Sequence, residues 1–464
     1  MAHEIVCVSP VDGREYLRRS TASEAEITAA LARARAAQRD WRRVPVEVRA
    51  AIVAQVVDAL KAMGPEIAEE LAWQMGRPIR YGQGEMRGVE ERTRHMAEIA
   101  PKALAPVVPD PWPGFERRVT REPLGIVFTV APWNYPYLTT VNSVVPALIA
   151  GNAVILKHAA QTLLVGDRFQ MAFDRTDLPK GLFQHLVLGH DQTTAIIAGG
   201  RVNHVAFTGS VAAGRAIERA CAGTFTTCGL ELGGKDPAYV RPDADLADTV
   251  EQLVDGAFFN SGQCCCGIER IYVHEAIHDR FLEAFVASSS RHVLDDPTKE
   301  ATTLGPMART AFAETVRAQT AGAIARGARA EIDPALFPRS CAGTPYLAPQ
   351  VLTGVDHSMT VMREESFGPV VGVMKVANDD EAIRLMNDSP YGLTASIWTA
   401  DRDAAVRIGA EVETGTVYMN RCDYLDPGLV WTGVKDTGRG AALSSVGYET
   451  LTRPKSWHLK LDTA

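Results

Sequence analysis

Gly125-Ile126-Val127-Phe128-Thr129-Val130-Ala131-Pro132-Trp133-Asn134-Tyr135-Pro136 passes from a β-branched run, through a loop stiffened by prolines, toward the apolar stretch Val141–Ile149. A short apolar run of this kind reads as a buried strand, and the longer stretch after it as a helix. The alternation then repeats. Ala153-Val154-Ile155-Leu156 precedes the helical stretch Leu163–Arg175, and His204-Val205-Ala206-Phe207 precedes Val211–Ala220. Strands alternating with helices predict an α/β chain with a parallel, doubly wound sheet. A second alternating region runs from Ala238 to about Val417. It includes a helix over 246–259, where Leu246, Val250, Leu253, Val254 and Ala257 share one face.

Upstream, helical periodicity dominates the first hundred residues. Ser23-Glu24-Ala25-Glu26 opens one helix, residues 46–63 form another, and Ile67–Trp73 lies in a third. Pro106, Pro109, Pro111 and Pro113 then break the pattern, and residues 115–120 read as a charged edge strand or partner-facing ribbon. At 464 residues the chain exceeds the size at which one hydrophobic core stops growing, so at least two domains are expected. An apolar share of 46% and a charged share of 22% are those of a globular protein rather than a disordered one. A net charge of −8 argues against a broad nucleic-acid surface. The basic cluster Arg33–Arg43 reads as the solvated face of an amphipathic helix. Met1–Pro10 lacks the pattern of a signal peptide, and the most apolar segment, Val144–Leu156, is short and interrupted by Pro146, Gly151 and Asn152. No membrane partner is therefore expected. The eight cysteines show neither a disulfide framework nor zinc spacing, so no metal is expected and the compartment is read as the cytoplasm.

Four short segments carry chemistry. Phe258-Phe259-Asn260-Ser261-Gly262-Gln263-Cys264-Cys265-Cys266-Gly267 ends a helix, turns at a glycine and presents three thiols together. A single cysteine in an apolar chain is usually inert, but three after a tight turn suggest a nucleophile, which needs a lowered pKa or a base. Glu231-Leu232-Gly233-Gly234-Lys235 places a carboxylate at a strand end, beside glycines that permit close approach. It reads either as an ordinary strand-to-turn junction or as a general base. Asn134, held between prolines, is either a turn residue or a preorganised amide donor to an oxyanion. Phe207-Thr208-Gly209-Ser210-Val211-Ala212-Ala213-Gly214 leads a strand into a helix, the geometry for phosphate at a helix amino terminus. Its GxxxxG spacing alone is weak evidence.

Together these segments resemble the aldehyde dehydrogenase superfamily over nearly the whole chain. The supporting motifs are Pro132-Trp133-Asn134-Tyr135-Pro136, Gly151-Asn152-Ala153-Val154 with Lys157, and Phe207-Thr208-Gly209-Ser210. Glu231-Leu232-Gly233-Gly234-Lys235, Gly262-Gln263-Cys264-Cys265, Glu364-Glu365-Ser366-Phe367-Gly368-Pro369 and Gly433-Val434-Lys435 follow in the family's order. The resemblance implies a Rossmann-like cofactor domain over 1–104 and 124–233 and a catalytic α/β domain over 234–436. It also implies a small β oligomerisation element from 105–123 and 437–464. The alternating tail Ser456–Leu461 is then read as a strand added to a partner's sheet, within a dimer or tetramer. The carried-over roles are Cys265 as nucleophile, Glu231 as general base, and Asn134 with the Cys265 N–H as oxyanion donors. NAD, NADP or both are implied as cofactor. Lys157 would meet the adenosine ribose, Gly209, Ser210 and Gly214 the pyrophosphate, Glu365 the nicotinamide ribose, and Phe367 and Trp133 the nicotinamide side.

Departures from the family pattern carry expectations too. Ala160 stands where many NAD-preferring members have an acid, which predicts that NADP is accepted alongside NAD. Ser143 and Ala442 stand where many members carry a lysine and a second glutamate. Tyr135, Tyr137, Leu138, Val141, Cys264, Cys266, Tyr424, Leu425 and Trp431 are expected to line the substrate entrance, which suits an aliphatic or aromatic aldehyde. Arg421 is the candidate to grip a carboxylate, with a salt bridge its bland alternative, so succinate semialdehyde is the second substrate reading. A cysteine-dependent esterase or thiol hydrolase, a reading of a different class, would use Cys265 and Glu231 without the cofactor residues. A coenzyme A-acylating relative would generally lack the Glu231 equivalent.

Overall fold

The computed structural model describes residues 3–461. Two largely parallel sheets organise it. The first has six strands, β1 being reserved for the ribbon Phe115–Pro123: β2 (Ile126–Val130), β3 (Ala153–Lys157), β4 (Phe183–His185), β5 (His204–Thr208), β6 (Thr227–Glu231) and a short strand near the carboxyl end, Gly438–Arg439. Their spatial order is Gly438–Arg439, β6, β5, β2, β3, β4, all parallel except the last-named Gly438–Arg439, which runs antiparallel to β6. Every residue of β2 is buried, as both faces of a covered parallel strand require. The chain moves from β2 outward to β3 and β4, then returns to the other side with β5. The switch point between β2 and β5 is where an open α/β sheet offers a crevice at its carboxyl edge.

The second sheet has seven strands. In chain order they are β7 (Asp236–Val240), β8 (Ile268–His274), β9 (Arg329–Ala330), β10 (Gln350–Thr353), β11 (Val370–Val376), β12 (Thr394–Trp398) and β13 (Thr416–Met419). Their order is β9, β10, β11, β8, β7, β12, β13, with only β9 antiparallel. The chain crosses from the carboxyl end of β6 to the amino end of β7 in four residues, Leu232-Gly233-Gly234-Lys235. That short crossing sets the carboxyl edge of one sheet against the amino edge of the other. A Cβ on Gly234 would lie 2.4 Å from the Cys265 carbonyl oxygen, so a side chain here would push the two segments apart.

Helices cover both sheets. Those that border the site are α1 (Gly82–Ala103), α2 (Pro136–Ile149), α3 (Val211–Cys221) and α4 (Leu246–Phe258). Several expectations change in detail. Residues 46–63 form two helices, Val46–Ala54 and Val56–Lys61. The amino-terminal hairpin Glu4–Val8 with Glu15–Ser20 had no signal in the periodicity, and α1 was not separated from the helical background. The tail strand β15 (Thr452–Lys460, β14 being Gly438–Arg439) pairs antiparallel with β1 of its own chain, from Thr452 against Pro123 to Lys460 against Phe115. The two strands form a two-stranded ribbon. No helix among the described residues is long and apolar enough to cross a membrane.

Candidate active site

A cavity of about 370 Å³ opens where the two sheet edges meet. Cys264, Cys265, Cys266 and Glu231 line it, together with Tyr135, Leu138, Leu425 and Trp431. The thiols arrive through an unusual turn. After α4, Asn260, Ser261 and Gly262 all have positive φ, at 54°, 57° and 69°. Two consecutive non-glycine residues in this region each carry a cost of roughly 1–3 kcal/mol, sustained only because the surroundings hold them. Those surroundings are visible. Asn260 Nδ2 donates to the carbonyls of Asn134 (3.2 Å) and Gln263 (3.2 Å), and Ser261 Oγ donates to Gly305 O (2.8 Å). Gln263 Oε1 accepts from Ala308 N at 2.8 Å. A Cβ on Gly262 would fall 2.3 Å from Gly368 O, so this glycine answers both a close approach and its φ.

The three sulfurs lie within 4.8 Å of one another. They do not share a pKa. Hydrogen bonding from the Cys264 and Cys266 thiols draws Cys265 down to about 6, against burial, which raises it. Cys264 is pushed up to about 12 by its bond to Cys265, and Cys266 is raised through bonds to both neighbours. Asp423 Oδ1 accepts from the Cys264 and Cys266 thiols at 3.0 Å each. Burial holds the Asp423 carboxyl well above the usual carboxylate range. The middle thiol is therefore the one that ionises near neutrality, and its anion is the nucleophilic form.

Glu231 ends β6, and its Oε2 accepts from Thr208 Oγ1 at 3.2 Å. Burial raises it from 4.5 to about 7, a value suited to taking a proton at neutral pH. Behind it a second cavity of about 50 Å³ is lined by Ser143, His204, Thr208 and Ala442. Asn134 is buried in the loop after β2, and its Nδ2 donates to Gln263 O at 3.3 Å, beside the thiol turn. That loop is braced by an ion pair between Arg77 and Glu85. Arg77 also donates to Asn134 O and, at 3.3 Å, to Asn260 Oδ1, while Glu85 Oε1 accepts from the N–H groups of Tyr137 (2.7 Å) and Leu138 (3.2 Å).

The residues expected to hold a cofactor lie at the sheets' facing edges. Lys157 ends β3 without an ion-pair partner among the described residues, and burial lowers its ammonium to about 8. Ser210 caps α3, its Oγ accepting from Ala213 N at 3.3 Å, and the first N–H groups of a helix are free for an anion. Gly209 precedes this cap, and a Cβ there would meet the Phe207 ring at 2.7 Å. Gly214 lies in the first turn of α3, where a Cβ would be 2.5 Å from Leu232 Cδ2. Glu365 Oε1 accepts from Gly234 N at 3.0 Å and is raised to about 8, chiefly by burial. Trp133 stacks on Phe312 at 5.5 Å and meets the Phe367 ring edge-on at 5.6 Å, giving a flat aromatic wall. A helix amino terminus, a half-buried lysine without an ion-pair partner among the described residues, a half-buried carboxyl and an aromatic wall are chemically suited to a dinucleotide's pyrophosphate, ribose hydroxyls and ring. His158 is buried, 3.3 Å from Pro136 O, and burial lowers it to about 3, so it is neutral core.

Arg421 is not where the sequence reading put it. It is exposed and stacked on the Tyr424 ring, 3.5 Å from its centroid, outside the lining of the cavity. The cations that do line the cavity are Arg87 and Arg92, both from α1. Arg92, Asn142, Asp423 and the Arg77–Glu85 pair were not singled out by sequence reasoning. A signal existed for two of them: Glu85 and Arg92 share the face of α1 that buries Met86, Val89 and Met96.

Comparison with known proteins agrees with this architecture. A model described as "Aldehyde dehydrogenase family" matches residues 1–457. An aldehyde dehydrogenase of Paenarthrobacter nicotinovorans is 34% identical, covering 97% of this chain and 99% of its own. The succinate semialdehyde dehydrogenase [NAD(P)+] Sad of Escherichia coli (strain K12) is 33% identical over 96% of each chain. Among solved structures, Gox0499 superposes with a TM-score of 0.93 at 31% identity, covering 98% of this chain and 99% of its own. Betaine aldehyde dehydrogenase from Staphylococcus aureus in complex with NAD+ has a TM-score of 0.92 at 27% identity, covering 100% and 93%.

Proposed function

Since this chain belongs to the aldehyde dehydrogenase family, we propose that it oxidises an aldehyde to a carboxylic acid with NAD or NADP through a thioester on Cys265. The observation that carries this reading is the shared cavity. It brings together a thiol drawn down to about 6 and a carboxyl raised to about 7, from opposite sheets. Cys265 thiolate adds to the aldehyde carbon, forming a C–S bond, and the Asn134 amide with the Cys265 N–H donates to the oxyanion. The two-electron acceptor needed to take this adduct to the thioester is what NAD(P)+ would supply when bound. Glu231 then takes a proton from water, whose oxygen attacks the acyl carbon, and the C–S bond breaks to release the acid and the thiolate. In balance, one aldehyde, one water and one NAD(P)+ give one carboxylate, one NAD(P)H and two protons. Lys157, Ser210, Glu365, Trp133 and Phe367 would hold the dinucleotide by ribose hydroxyls, pyrophosphate and nicotinamide face.

The domains are read as proposed from sequence, with the β1–β15 ribbon as the self-association element. The eight unpaired thiols suit a reducing compartment such as the cytoplasm. Relatives named for succinate semialdehyde and for betaine aldehyde are similarly distant, at 33% and 30% identity, so the choice of substrate rests on the cavity. Near the thiol, Tyr135, Leu138, Leu425 and Trp431 suit an aliphatic or aromatic carbon chain. Following reduced nicotinamide on addition of aldehydes with each cofactor tests the activity. Cys265→Ala is expected to abolish turnover, and Glu231→Gln to give one equivalent of reduced cofactor and then stall. Mass spectrometry should find the acyl group on Cys265. Steady turnover in Cys265→Ala, or rapid turnover without adduct in Glu231→Gln, would remove that residue from its role.

A further inference from the structure

A guanidinium buried without a carboxylate is rare, because desolvation of the charge is then not repaid by a partner. Arg92 is such a group. It is 8% exposed, lines the cavity that holds Cys265 and Glu231, and makes no ion pair among the described residues. Its Nη1 donates to Leu138 O and to Asn142 Oδ1, both at 3.1 Å. Nε and Nη2 have no hydrogen-bond partner among the described residues. None of the acids nearby forms an ion pair with it among the described residues: Glu231 lines the same cavity without a hydrogen bond to it, Glu91 accepts from Tyr424 OH at 2.7 Å, and Glu85 is paired with Arg77.

The surroundings extend the same donor set. Asn142 Oδ1 is taken by Arg92, and Asn142 Nδ2, on a residue that lines the cavity, is buried without a partner among the described residues. The Tyr135 hydroxyl, also lining the cavity, is buried without a partner as well. Gly88 brings α1 close enough for this: a Cβ there would stand 2.6 Å from Leu138 Cδ2, one helical turn before Arg92. A charged fork beside a free amide, opening into a cavity whose near end is apolar, matches an anion with two oxygens.

We propose that Arg92, with Asn142 Nδ2, binds a carboxylate on the far end of the aldehyde, so that the substrate class is an aldehyde carrying a second, anionic carboxyl group. This rests on the dehydrogenase reading for the reactive end and adds the specificity-determining end. Arg92 takes the part that the sequence assigned to Arg421. Its other conceivable task, holding the Glu231 carboxylate, would act on every substrate alike, and this difference makes the proposal testable.

The test compares 4-oxobutanoate with the neutral pentanal. The wild-type protein should favour the carboxylated aldehyde in kcat/KM, and Arg92→Met should reduce the ratio of the two by ~100-fold or more, the scale of a lost buried charge contact. The loss should fall mainly on KM for 4-oxobutanoate, and Arg92→Lys should restore part of it. Asn142→Asp, which adds a like charge to the ligand, should lower the same ratio. Binding of succinate, followed by calorimetry and by protection of Cys265 from alkylation, reads the site without turnover and should disappear in Arg92→Met. A wild-type preference for pentanal, a ratio unmoved by Arg92→Met, or an equal fall for both aldehydes with a shifted pH profile would overturn the proposal. If succinate binds through Arg92 but no aldehyde reduces NAD(P)+, the carboxylate site stands and the dehydrogenase reading falls.

Discussion

Arg77 and Arg92 approach the loop and helix 134–142 from the same flank, yet their charges are used differently. Arg77 is 2% exposed and fully engaged: Glu85 pairs with it, and it donates to Asn134 O and Asn260 Oδ1. Through these bonds, residues far apart in sequence hold the Asn134 loop against the thiol turn. Arg92 is almost as buried, but its contacts are two neutral acceptors and its fork opens into the cavity. A paired buried charge makes a scaffold, and an unpaired one makes a binding site, because only the second has attraction left for a ligand. Lys157 belongs with Arg92, as a half-buried cation at the end of β3 with no ion-pair partner among the described residues.

The largest expected effect is on the scaffold arginine. Arg77→Met leaves the Glu85 carboxylate buried and alone, which should cost roughly 3–5 kcal/mol, and Arg77→Met with Glu85→Gln should recover most of it. Chemical denaturation measures both. Arg92→Met, by contrast, leaves no carboxylate alone and should cost less, about 1–3 kcal/mol for the Leu138 and Asn142 acceptors that lose their donor. Equal losses at the two sites would break the comparison.

Glu231 provides a second, intermediate check, since it is a buried carboxyl with a single hydroxyl donor. A rise from 4.5 to about 7 in the folded state penalises its charged form by roughly 3 kcal/mol at most. For an acid raised on folding, this penalty is absent below pH 4.5, grows as pH rises, and is complete above about 7. Glu231→Gln should therefore stabilise the protein at pH 8 and do little at pH 4, as thermal melts at the two pH values would register. An unchanged difference across that range would mean that the carboxyl is not held up by burial.

The smallest effect is expected at Lys157. Its replacement by Met should weaken dinucleotide binding about tenfold, near 1.4 kcal/mol, while leaving KM for the aldehyde within a factor of about two. Loss of aldehyde affinity instead would place Lys157 with the scaffold group. Ala160→Glu should meanwhile shift the cofactor preference toward NAD, as read from kcat/KM for each cofactor, because a carboxylate there repels a 2′-phosphate.

Strand–helix alternation, the glycine turns and the order of the short motifs were all local properties, and the sequence alone determined them. Thus the parallel sheets, the glycine turn before the thiols and the candidacy of Cys265, Glu231 and Asn134 are legible in the sequence. Local patterns failed where a residue's meaning depended on distant partners. Arg92 shares the apolar face of α1, but its contacts with Leu138 O and Asn142 Oδ1 come from a segment some fifty residues away. That Leu232 packs against Gly214 is likewise set by folding rather than by the spacing of the glycines. Arg421 lay nearest the cavity by sequence position, but it turns outward onto Tyr424. Asp423 reaches the thiols across 157 residues or more, and Arg77 reaches Asn260 across 183. The physical reason is common to all of them. Propensity and periodicity are set by neighbours along the chain, whereas the energy of a charge or a hydrogen bond depends on what folding brings within a few ångströms. Which cation holds the fold and which is left for a ligand was therefore decided only by the tertiary structure.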